Sequence, residues 1–276
     1  MIAFYGWITV VPYGWQGAPV FAVIILGLVV ATLKWGVGRS VDYWEAAAEP
    51  AQVPRVMLLI VVALVIQLLI VAVVLVANQM SLSQLSSTAV YFLVWTGVPL
   101  AMIALGVVRW PRRTASPGPR EVLMVAAVAI LFAGVWCYIR ALGYDGPRHA
   151  PTLPRLLLGG AATLLGATME EVVFRVLLLT ALVRASGSRT QALIISSVIF
   201  ALAHLPPALA APVIAGDWIQ LPTYFEAFVP ELILSIGGGL LLGALWLRTG
   251  SIILISIVHA LWNLGPVLVG DPLGIW

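Results

Sequence analysis

Long apolar runs alternate with short polar or Pro/Gly-rich stretches along the whole chain. A membrane-spanning helix needs about 20 predominantly apolar residues. Eight runs read as helices of that kind, at roughly 19–35, 56–77, 89–108, 121–140, 153–183, 191–205, 230–247 and 251–269. The sixth is short and stops at Leu205-Pro206-Pro207, because proline lacks the backbone N–H and its ring clashes with the preceding turn. The connectors, such as "NQMSLSQLSST" and "PRRTASPGPR", carry the punctuation expected of loops. The expected fold class is therefore all-α: a polytopic membrane helix bundle of about eight transmembrane helices. It forms a single integral membrane domain over residues 1–276, with no internal repeat or low-complexity tract.

Composition strengthens that expectation. The chain is 62% apolar with a mean hydropathy of +1.09, against roughly 45–50% apolar residues in a soluble domain. The lipid bilayer is thus a partner. The net charge of +3 is spread over short loops and gives no nucleic-acid signal. The first residues lack the positive n-region of a signal peptide and read as part of the mature chain. Cys137, the single cysteine, lies in an apolar run and has no internal partner for a disulfide.

Lysine and arginine in the loops set orientation. The odd-numbered loops carry Lys34, Arg39 and Arg55, then Arg109, Arg112, Arg113 and Arg120, then Arg184 and Arg189, then Arg248. The fourth loop carries Arg140, Arg148 and Arg155. With both termini outside, ten basic residues face the cytoplasm and three the other side. Trp35, Trp110 and Trp246 fall near run ends, where indoles favour the interface. Gly237–Gly239 in the seventh run suits close helix packing. The sixth loop, 205–230, has no Lys or Arg and follows His204 directly. It reads as an interfacial connector or a lid over whatever His204 serves.

Only 9% of residues are charged, yet "GATMEEVVFRVLLL" (166–179) places Glu170, Glu171 and Arg175 inside an apolar run. A charge at mid-bilayer costs a few kcal/mol or more, so it persists when paired or when it serves a site. Successive helical residues are about 100° apart, so the two glutamates cannot aim at one point. Arg175 is one turn beyond Glu171, where an ion pair forms readily. That pairing leaves Glu170 without a local partner, which makes it a functional candidate and a potential general base.

Two further motifs follow. Phe200 and His204 share a face of the sixth run, and His259 and Asn263 share a face of the eighth. At about 1.5 Å rise per residue, Glu170 lies about 21 Å from Arg184, His204 about 22 Å from Arg189, and Asn263 about 22 Å from Arg248, with His259 about one turn shallower. Three helices thus bring polar groups to one level. These residue types support water chemistry. Glu170 and a neutral His204 can hold and deprotonate a water, and His259 and Asn263 can donate hydrogen bonds to an oxyanion. A divalent metal such as zinc on Glu170, His204 and His259 would also leave an open position for water, and the sequence leaves both forms open. No H-E-x-x-H or G-x-S-x-G is present. His149, in the arginine-bearing fourth loop, reads as a solvated residue.

The ordered set Glu170-Glu171-x-x-x-Arg175, Phe200-x-x-x-His204 and His259-x-x-x-Asn263 resembles the CAAX prenyl protease and bacteriocin-processing family (CPBP, or Abi), with the motif-bearing core at about 153–269. The resemblance implies an intramembrane endopeptidase with an eight-helix core, in a family often labelled metalloprotease. It implies that Glu170 and His204 activate water and that His259 and Asn263 stabilise the oxyanion, with Glu171, Arg175 and Phe200 in support. Expected substrates are a prenylated CAAX tail or another membrane-associated peptide or protein, and the expected location is a prokaryotic plasma membrane. In the prenyl-protease branch the site is reached from the cytosol, whereas the charge pattern puts this layer nearer the outer face. The rival reading is a membrane transporter or proton relay using the same buried polar layer. It lacks the inverted repeat and paired broken helices such proteins show. A haem protein with His204 and His259 as axial ligands would leave the Glu and Arg residues without a role. The intact motif set argues against a catalytically silent scaffold.

Overall fold

The computed structural model describes residues 43–45, 52–79, 87–142, 152–206 and 218–269, together with the isolated positions 27, 209, 213 and 216. The first expected helix lies outside the described residues except for Gly27, which is helical. Lys34, Trp35, Arg39, Arg148, His149 and part of the sixth loop between 207 and 217 also lie outside them.

Seven helices form the described part of the fold. They are α1 (Gln52–Gln79), α2 (Ser87–Ala104), α3 (Pro119–Leu142), α4, α5 (Arg189–Ala203), α6 (Leu221–Thr249) and α7 (Ile252–Val269). Helix α4 is continuous but changes pitch. An α-helical stretch, Leu153–Glu171, passes into a π-helical stretch, Val172–Leu179, and then back to α-helix over Thr180–Ser186. Two strands, β1 (Trp44–Glu45) and β2 (Arg112–Arg113), pair antiparallel, with Trp44 opposite Arg113 and Glu45 opposite Arg112.

Seven of the eight expected apolar runs are therefore helices. One boundary differs substantially: α6 starts at Leu221 rather than near 230, so the last ten residues of the expected sixth loop, 221–230, are helix. Pro222 stands in its first turn, where the missing N–H would have had no partner anyway. Pro230 lies within the helix, as membrane helices tolerate. Among the described residues, two stretches are long and apolar enough to cross a membrane, Gln52–Val73 and Leu221–Thr249.

Helix α7 packs along α4 and α3, α5 along α6, and α1 along α2. The π stretch joins these pairs, touching α1, α5 and α6, and all its residues are buried. The α5–α6 seam is close because Gly239 has no side chain: a Cβ there would stand 3.0 Å from Ser197 Cβ. This is the small-residue packing expected between membrane helices.

One end of the bundle gathers the odd-numbered loops. The Trp44 indole N–H donates to the Gly250 carbonyl at 2.8 Å, Arg184 pairs with Glu45 at 2.6 Å, and the Arg113 guanidinium lies 5.8 Å from the Trp44 ring centre. Helices that alternate in direction bring the first, third, fifth and seventh loops together in this way. Gly250 caps α6 in a left-handed conformation (φ 55°) that glycine adopts without strain. Trp246 lies near this end of the bundle but is turned inward. It is buried, stacks on Trp44 with ring centres 5.4 Å apart, and donates to Thr180 Oγ1 at 3.3 Å. The indole is drawn inward because both its ring face and its N–H find partners there.

Candidate active site

The buried charges sit at the junction where α4 changes pitch. Glu171 is fully buried; its Oε1 forms an ion pair with Arg175, 3.0 Å from Nη1, and accepts a hydrogen bond from His259 Nδ1 at 2.7 Å. The expected Glu171–Arg175 pair is present, and His259 is a second partner that spacing alone did not supply. A clue was available, since a buried carboxylate has more acceptor positions than one guanidinium group satisfies. A carboxylate bonded to arginine can only accept, so His259 Nδ1 carries a hydrogen.

Phe200 links the two motif helices. The Arg175 guanidinium lies 4.2 Å over its ring, a desolvated cation–π contact. Its ring meets those of His204 and His259 edge to face, at centre distances of 4.8 and 5.9 Å, and Phe174 packs against its other side at 5.1 Å. The Phe200 carbonyl accepts from His204 Nδ1 at 2.8 Å. Both imidazoles are thus fixed through Nδ1, which turns both Nε2 atoms to the same place. His259 Nε2 stands 3.7 Å and His204 Nε2 3.9 Å from one oxygen of Glu170.

Glu170, which has no partner on its own helix by spacing, therefore has non-local company in His204 and His259. Glu170 and His259 are buried, whereas the His204 side chain is 35% exposed. The cluster opens on the His204 side, where α5 ends. Asn263 is half-buried one turn beyond His259 and makes no hydrogen bond to any described residue.

The expected depth order also changes, since His259 rather than Asn263 meets Glu170. A uniform rise per residue overestimates the distance from Glu170 to Arg184. The intervening π stretch, with i→i+5 bonds, packs more residues into each turn. Sequence reading also passed over Gln67, which is buried on α1 and satisfied by the Trp95 indole N–H at 2.8 Å.

The two separations decide what the cluster can hold as it stands. Ligands about 2.0–2.1 Å from a tetrahedral zinc lie about 3.3 Å from one another, less than the observed 3.7 and 3.9 Å. A water hydrogen-bonded at about 2.8 Å to Glu170 and to either imidazole would span these separations at an angle of roughly 85°. Among the described residues no group of three or more His, Cys, Asp or Glu side chains is placed to hold a metal ion. The side-chain positions fit a water without rearrangement, and a zinc ion only if they close by about half an ångström.

Helices α4 and α7 and the end of α5 thus bring a carboxylate and two imidazoles together inside a helical bundle. Residues 152–265 match the family model described as "Type II CAAX prenyl endopeptidase Rce1-like". The match covers the segment that carries the three ordered motifs and agrees with the resemblance they show. No curated protein and no solved structure matches the chain.

Proposed function

We propose that this protein is an intramembrane endopeptidase that hydrolyses a peptide bond of a membrane-associated substrate, with a prenylated CAAX-type tail as the leading class. The observation that carries the reading is the approach of His204 and His259 Nε2 to one oxygen of buried Glu170, from three different helices. Glu170 takes a proton from a water that His204 Nε2 helps to orient, and the water oxygen attacks the scissile carbonyl carbon. His259 holds its Nδ1 hydrogen toward Glu171. When it carries a second hydrogen on Nε2, its charge lies between two carboxylates and it donates to the tetrahedral oxyanion. Asn263, on the same face of α7 one turn on, is the second donor. The intermediate collapses as the C–N bond breaks, and the proton taken from water passes to the leaving amine.

The test is cleavage of a farnesylated CAAX peptide, and of the same peptide without lipid, by purified protein in liposomes. The reading expects release of the C-terminal fragment by the natural chain, a preference for the lipidated peptide, and loss of cleavage in His204→Ala. Proton-coupled flux with cleavage of neither peptide would overturn it in favour of a relay.

A further inference from the structure

The wide turn of α4 has a dedicated hydroxyl. Five other helical hydroxyls donate four residues back, Thr163 to Gly159, Thr168 to Leu164, Ser186 to Leu182, Ser197 to Leu193 and Thr249 to Leu245, all at 2.7–2.8 Å, and Ser196 donates three back to Leu193 at 3.1 Å. Thr180, at the end of the π stretch, instead donates five residues back, to the Arg175 carbonyl at 3.2 Å. Its backbone N–H turns to the Leu177 carbonyl. Its oxygen accepts from Trp246 Nε1 at 3.3 Å, so the hydroxyl is used as donor and acceptor at once. Behind Trp246 stands Trp44, stacked on it and tied to Gly250.

We propose that Thr180 is a positioning residue for the Glu/His site, because its hydroxyl holds the π register that aims Glu170 and Glu171. The stretch after Leu179 is fixed to the end of the bundle through Trp246 and Trp44. The stretch before Val172 carries both glutamates. The turn between them sets their relative rotation, since an i→i+5 turn advances fewer degrees per residue than the roughly 100° of an α-helix. A relaxation toward α-helix rotates Glu171 away from His259 Nδ1 and Glu170 away from both Nε2 atoms. Arg175, whose carbonyl Thr180 holds and whose guanidinium binds Glu171, is the physical link. The effect on catalysis rests on the protease reading, whereas the effect on His259 geometry does not.

The experiment compares Thr180→Val, which keeps the shape and removes the hydroxyl, with Thr180→Ser, which restores it. Trp246→Phe, which removes the donor behind it, is the second line should Thr180→Val fail to fold. Two readouts are taken on full-length protein: steady-state cleavage of the farnesylated peptide in liposomes, and the 15N imidazole spectrum of His259 in detergent micelles. Thr180→Val is expected to lower kcat at least about tenfold with little change in KM, as a small misplacement of reacting groups does. Its His259 Nδ1–H signal shifts or broadens, and Thr180→Ser returns both readouts toward the natural protein. Trp246→Phe moves both in the same direction and less far. A Thr180→Val protein with unchanged kcat and an unchanged His259 spectrum overturns the proposal. So does Thr180→Ser as impaired as Thr180→Val, which would assign the effect to packing. If the natural chain cleaves nothing, the function reading falls, and the His259 spectrum alone decides the positioning role.

Discussion

Arg175→Met removes the cation from the buried pair while keeping most of the side chain's volume. Arg175 is 2% exposed and Glu171 0%, with 3.0 Å between them. Removing one partner of a buried ion pair leaves an uncompensated charge and costs about 3–5 kcal/mol. The lost contact with the Phe200 ring acts in the same direction. At about 2–4 °C per kcal/mol for a chain approaching this size, the melting temperature should fall by roughly 6–20 °C. The assay is thermal unfolding of purified protein in detergent, followed by intrinsic tryptophan fluorescence. The double variant Glu171→Gln/Arg175→Met should melt above Arg175→Met alone, because a neutral amide at position 171 strands no charge and its carbonyl still accepts from His259. A single variant that melts with the natural protein but has lost cleavage would refute the pairing argument. A double variant no more stable than the single would show that the loss does not come from a stranded Glu171.

Other consequences follow from particular contacts. Gly239→Ala places a Cβ 3.0 Å from Ser197 Cβ, so overpacking should cost about 1–3 kcal/mol, read as a lower melting temperature. Adding Ser197→Gly should relieve part of that loss. Glu45→Gln breaks an ion pair whose partners are 40% and 54% exposed, so it should change stability by no more than about 1 kcal/mol. A large effect there would mean that the pair works with the Trp44 contacts as a unit.

The sequence disclosed the helices well because a membrane helix is specified by composition along one dimension. The ends of six described helices fall within a few residues of the apolar runs. The exception, α6, continues through Pro230, a residue that ends helices in water but not in a bilayer. The local half of the site was equally legible, since Glu171 and Arg175 are one turn apart on one helix. The His259–Glu171 bond joins residues 88 positions apart and depends on how α7 lies against α4, which spacing does not encode. The π stretch left no readable mark in an apolar run, and it is what shifted the depth order of His259 and Asn263. The burial of Trp246 was hidden for a related reason. Its proximity to a run end was visible, but its stacking partner, about two hundred residues away in the first loop, was not.

The central claim is that Glu170 activates the hydrolytic water. The most direct measurement is the single-turnover rate of peptide cleavage by Glu170→Gln beside the natural protein, both reconstituted and shown to melt at the same temperature. Loss of a general base should slow the step by about 10²–10⁴-fold while peptide still binds. A Glu170→Gln protein that cleaves at the natural rate would contradict the account.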